Sequence, residues 1–83
     1  MKEAGKTIKL RSELGGLIRK YRLKLKLSQE TLAEKADIHR TYVSDIELGK
    51  VDISITVAYK LAKALNISFG RLAKEAENTI SSK

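Results

Sequence analysis

Arg40, Thr41, Ser44 and Asp45 stand at offsets 0, 1, 4 and 5, so a helix that carries them shows all four on one side. A guanidinium, two hydroxyls and a carboxylate near a helix start form a set of hydrogen-bond donors and acceptors. The major groove of DNA admits a helix and displays a distinct donor and acceptor pattern for each base pair, so such a set can read sequence. Covalent and acid–base chemistry find little to use. The chain has no cysteine and one histidine, which excludes thiolate zinc sites, disulfide scaffolds and cysteine nucleophiles. No paired carboxylates, Gly-rich phosphate loop or nucleophile–base set occur at usable spacing. A non-enzymatic module with no metal and no other cofactor is expected.

Charge points the same way. Residues 1–27 hold nine basic side chains against two acidic ones, while residues 28–83 hold eight of each, so the net charge of +7 lies in the first third. This asymmetry suggests a polyanionic partner, nucleic acid before membrane surface; the alternative is a solubilising arm followed by a lysine-rich helix face. Apolar runs are too short for a membrane span, and the charged start lacks a secretory signal's apolar segment. A cytoplasmic protein with no membrane partner is expected. Eighty-three residues make one small domain and leave no room for a ligand-sensing unit.

The elements that must position those side chains follow from periodicity and caps. Residues 1–11 are basic and aperiodic, which reads as a flexible arm. Ser12 then caps a helix over about 12–25, with Leu14, Leu17, Ile18, Tyr21 and Leu25 on one face, although Gly15 and Gly16 weaken its first turn. Ser28 caps a short helix over 29–36 with Leu32, Ala33 and Ala36 inward, and Asp37 stops it. Another helix covers 39–47, with Tyr42, Val43 and Ile46 periodic and Gly49 as the stop. So short a connection suits a sharp helix-turn-helix bend. Ser54 caps a fourth helix ending at Asn66, and Ser68 caps a fifth over 68–80. The expected fold is all-α, a compact five-helix domain over residues 12–80.

The pattern Leu-Ser-Gln, Leu-Ala, Ala, Ile, Tyr-Val-Ser, Ile-Glu and Gly across 27–49 resembles the lambda-repressor-like, or xenobiotic-response-element, helix-turn-helix family. Within that group it is similar to the small controller proteins of restriction-modification systems. The resemblance covers about residues 14–72, and Arg40-Thr41-Tyr42 resembles the start of the controllers' recognition helix.

It implies that 29–36 is a positioning helix and 39–47 a recognition helix. Gln29 would bond a phosphate and brace Arg40, and Arg40 would contact guanine O6 and N7, with a phosphate contact as its alternative. Thr41 and Ser44 would meet bases or phosphates. Tyr42 reads as a phosphate contact or a core-edge residue, and His39 as a turn or N-cap residue that strengthens phosphate contact when charged. Asp45 either accepts from cytosine N4 or stays solvated or lysine-paired. Arg22 and Glu47 match positions that form a buried ion pair. Two departures stand out: Asp37 replaces the usual turn glycine, and Asp52 stands where an asparagine often bonds phosphate, leaving Lys50 as the loop's contact.

One reading helix covers few base pairs, so two copies on a palindromic operator are expected. The fifth helix offers Ile67, Phe69, Leu72, Ala73 and Ala76 as a homodimer interface. The function expected is that of a dimeric transcriptional regulator binding double-stranded DNA, the controller of a restriction-modification system, with RNA polymerase as a further partner. The alternatives are a phage-type repressor or antitoxin, and a protein-interaction module that does not read DNA.

Overall fold

In the computed structural model, which describes the backbone of residues 2–81 and the side chains of residues 9–80, five helices follow one another: α1 Lys2–Lys24, α2 Gln29–Ala36, α3 Arg40–Glu47, α4 Ile55–Ala64 and α5 Phe69–Ser81. Serine caps set three of the starts. Ser28 Oγ accepts from the Thr31 N–H at 3.0 Å, Ser54 Oγ from Val57 at 3.1 Å and Ser68 Oγ from Arg71 at 3.1 Å. Each satisfies a first-turn donor that has no partner in its helix, worth roughly 0.5–2 kcal/mol. Asp37 (φ 58°) and Asn66 (φ 59°) end α2 and α4 in the left-handed conformation, as their residue types predict. Lys26 adopts it too (φ 60°), in the turn between α1 and α2, where no residue preference announced it.

α1 corrects the sequence reading. The arm expected over 1–11 and the cap expected at Ser12 are replaced by one continuous helix from Lys2, residue 1 lying outside the described residues. The physical reason is that the apolar side extends backward: Leu10 and Leu14 precede Leu17 and Tyr21 at offsets 0, 4, 7 and 11. Arg11 adds a tether, its Nη1 lying 3.3 Å from Asp52 Oδ1 in the loop after α3.

α1 packs on α3 and α5, α2 on α3 and α4, and α4 on α5. Ile18, Leu32, Val43, Ile46, Leu61 and Leu72 fill the centre, each at or below 1% exposure. Burying a side chain of this kind contributes about 1.5–3 kcal/mol. Gly15 sets how closely α1 can approach α3, since a Cβ there would collide with the Ile46 carbonyl. Its small size outweighs its weakening of the helix.

A polar contact also fastens α1 to α5. The Tyr21 hydroxyl donates to the Glu75 carboxylate at 2.7 and 2.8 Å, and Arg71 Nε donates to it at 3.0 Å. The bond from Tyr21, and then that from Arg71, holds Glu75 below the ordinary carboxylate range, while Glu75 pushes the Tyr21 phenol up. A carboxylate whose folded pKa is depressed adds stability that is complete above its unfolded pKa and is lost as pH falls through the folded value. Glu75→Gln is therefore expected to be less stable than the parent at neutral pH and to converge with it on acidification. Urea unfolding from neutrality to about pH 3 checks this; parallel curves over that range would contradict it.

Candidate nucleic-acid interface

The site begins with a buried ion pair. Arg22 Nε donates to Glu47 Oε2 at 2.7 Å and Nη2 to Oε1 at 3.0 Å, with side chains only 9% and 2% exposed. Nη1 donates to the Leu27 carbonyl at 2.9 Å, so one guanidinium links α1, the following turn and the last residue of α3. The Glu47 bonds push the Arg22 pKa further up and keep the charge in place. The pair expected from the family resemblance is present, in the bidentate form that fixes orientation best.

Gln29, the first residue of α2, joins this pair: its Nε2 donates to Glu47 Oε1 at 3.0 Å. Among the described residues no hydrogen bond joins Gln29 to Arg40; the amide Nε2 is held by Glu47, while Oε1, the atom that a guanidinium would need, is not the one Glu47 engages. Beside it the Thr31 N–H bonds Ser28 Oγ and the Leu32 N–H bonds the Ser28 carbonyl. Among the described residues the Gln29 and Glu30 N–H groups have no acceptor, and α2 directs the positive end of its dipole at the same place. Arg22, Ser28, Gln29, Glu30 and Arg40 line an open recess of about 560 Å³ there. Two free N–H groups and the exposed Arg40 guanidinium suit one tetrahedral oxyanion.

α3 starts at His39, whose backbone is extended (φ −75°, ψ 145°) and whose side chain makes no capping bond. Arg40 and Thr41 are exposed, and Ser44 and Asp45 are half-buried on the same side. Val43 and Ile46 point into the core, fixing the rotation of α3. Tyr42 is half-buried against that core. Asp45 makes no ion pair among the described residues. Lys50 is exposed in the loop behind Gly49, whose positive φ of 71° brings the chain against Ser12. Asp52, expected to add repulsion in this loop, carries its charge beside Arg11. Sequence reasoning missed Arg11 because it is 41 residues away and lay in the supposed arm.

A second surface is apolar. Leu10, Leu14, Ile53, Ile55, Ala58, Phe69, Leu72, Ala73, Ala76 and Glu77 line a groove of about 410 Å³ between α1, α5 and the start of α4. Of the residues expected at a dimer face, Leu72 and Ala76 are each 1% exposed and belong to the chain's own core, so they form the groove floor. Ile67 and Phe69 are half-buried against that core and Ala73 is exposed. The sequence reading omitted Leu10 and Ile55, which are 40% and 71% exposed. Among the described residues no cluster of acidic, histidine or cysteine side chains could hold a metal ion, and no helix is long and apolar enough to cross a membrane.

Comparison with known proteins agrees with this geometry. The Helix-turn-helix family model (HTH_3) matches residues 18–72. Control protein C.BamHI of Bacillus amyloliquefaciens is 44% identical over 62 residues, covering 74% of this chain and 76% of that relative. The restriction-modification controller protein C.AhdI from Aeromonas hydrophila superposes with a TM-score of 0.71 at 38% identity, over 74% of this chain and 92% of the other. The controller protein C.Esp1396I, solved as a tetramer in complex with its natural 35 base-pair operator, gives a TM-score of 0.77 at 31% identity, over 86% and 93%. The chain belongs to this helix-turn-helix family, with the restriction-modification control proteins among its homologues.

Proposed function

We propose that the protein is a sequence-specific, homodimeric transcriptional regulator that binds a palindromic operator in double-stranded DNA and serves as the controller of a restriction-modification system. The observation that carries this is the Arg22–Glu47–Gln29 network. It locks the end of α3 to the start of α2, so that the open recess and the polar side of α3 are held together toward one duplex. α3 enters the major groove. Arg40 reads guanine, Thr41 and Ser44 meet bases or phosphates, and Tyr42 and Lys50 touch the backbone. The α2 N–H groups and Gln29 seat a phosphate, and His39, at the start of α3, adds a ring donor to the contact. Asp45 remains solvated unless a cytosine N4 faces it.

The dimer forms when the apolar groove receives a second copy, Leu10, Ile55, Phe69 and Ala73 of each protomer meeting across a twofold axis. A groove with Glu77 as its one charged lining residue supports this, as does the tetrameric assembly of the C.Esp1396I controller on its operator. Two reading helices then span enough base pairs for useful affinity. Binding over a promoter represses, and binding upstream allows contact with RNA polymerase. No catalysis is needed.

The test is Arg40→Ala. A bidentate arginine–guanine contact contributes about 1–3 kcal/mol of discrimination. The variant is expected to lose preference at one base pair per half-site while keeping its helical content and the remaining preferences. Unchanged preference in a competition among single-substitution duplexes would sink the assignment.

A further inference from the structure

We propose that Arg19 on α1 is a further phosphate-binding residue, so that the duplex backbone is held by α1 as well as by the start of α2. This inference rests on the DNA-binding reading above. Arg19 follows Gly15 by four residues and precedes Arg22 by three, so the three share one side of α1. Both neighbours touch the end of α3: a Cβ on Gly15 would collide with Ile46, and Arg22 grips Glu47. Arg19 lies on the stretch of α1 between them, one turn before Arg22, which itself lines the recess shared with Arg40.

Its charge has no counterpart among the described residues. Arg19 is exposed and makes no ion pair among the described residues. The positions three and four away on either side are Gly15, Gly16, Arg22 and Leu23, none of them acidic. Glu47, the carboxylate that Arg22 reaches from this side of α1, already accepts from Arg22 and Gln29. An unopposed arginine one turn from another is mildly unfavourable for a helix by itself, and an external anion relieves it. Next to it Gly16 leaves the helix surface low, with no heavy atom within 4 Å of where a Cβ would stand. Lys20, the adjacent cation, is directed elsewhere: its Nζ lies 5.9 Å from the centre of the Tyr21 ring, on the side of α1 that meets α5.

The experiment compares Arg19→Gln with Lys20→Gln, which remove one charge each from two sides of the same helix about 100° apart. The probe is a duplex carrying the sequence that the parent protein enriches from random DNA, with affinity measured over a range of salt. Each phosphate contact adds about 0.9 to the slope of log affinity against log salt. Arg19→Gln is expected to flatten the slope by about that amount per bound protomer, weakening all sequences equally, while Lys20→Gln keeps the parental slope. Equal slopes for the two variants would overturn the proposal. So would a lowered melting temperature for Arg19→Gln at unchanged slope, the mark of an arginine that only answers the carbonyls ending α3. Failure of the parent to select any sequence would instead overturn the DNA-binding reading, and the Arg19 proposal with it.

Discussion

Ile55→Asp is expected to give a folded monomer whose affinity for a two-half-site duplex is lower by about 10²-fold or more. Ile55 is 71% exposed at the first position of α4, so a carboxylate there meets water in the monomer and suits the positive helix end. In a dimer the same carboxylate would enter the apolar groove beside Leu10 and Phe69, where an unpaired charge is costly. Each half-site then binds alone, and the gain from linked binding, typically 10²–10⁴, disappears. Sedimentation velocity and operator titration measure the two parts. Leu72→Asp would be a poorer test despite its place in the expected interface, because Leu72 is 1% exposed and its loss damages the monomer. A dimeric Ile55→Asp variant with parental affinity would refute the interface.

Arg22→Ala is expected to lower stability by about 3–5 kcal/mol, because it leaves a buried carboxylate without its cation. Glu47 is 2% exposed on its side chain and would keep only the Gln29 amide. In a small domain whose whole stability is about 5–15 kcal/mol, that is a large fraction. The double variant Arg22→Met/Glu47→Leu separates the two roles of the pair. Apolar replacements of similar volume often restore stability, yet they remove the anchor that positions Gln29 and the end of α3. The double variant should therefore unfold at a urea midpoint near the parent's and still bind operator weakly. A single variant within about 1 kcal/mol of the parent, or a double variant with full affinity, would remove the network from the account.

How far the sequence showed this depends on the range of the interactions. Caps and left-handed turns are local, so Ser28, Ser54, Ser68, Asp37 and Asn66 could be placed from residue type and spacing. The Arg22–Glu47 pair spans 25 residues, and only family resemblance pointed to it. The α1 extension had a readable signal in Leu10 and Leu14, which continue the side of Leu17 and Tyr21, but the dense charge of residues 1–11 obscured it. Gly15 was read as a weakness because its reason is the backbone of α3, more than thirty positions away. The Arg11–Asp52 contact left no trace in either segment. The fifth helix shows the limit of periodicity: its apolar stripe covers both the chain's own core, through Leu72 and Ala76, and the groove, through Phe69 and Ala73. One stripe cannot reveal which residues face which.

Selection of duplexes from a random library by the parent protein at physiological salt shows whether α3 reads sequence as a twofold pair. An enriched palindrome with a guanine in each half is expected, its two halves about one helical turn (~34 Å) apart, as a twofold pair of α3 helices requires. Binding that falls with salt but enriches no sequence would mean that only the electrostatic attraction of a +7 chain was at work, and would contradict sequence reading by α3.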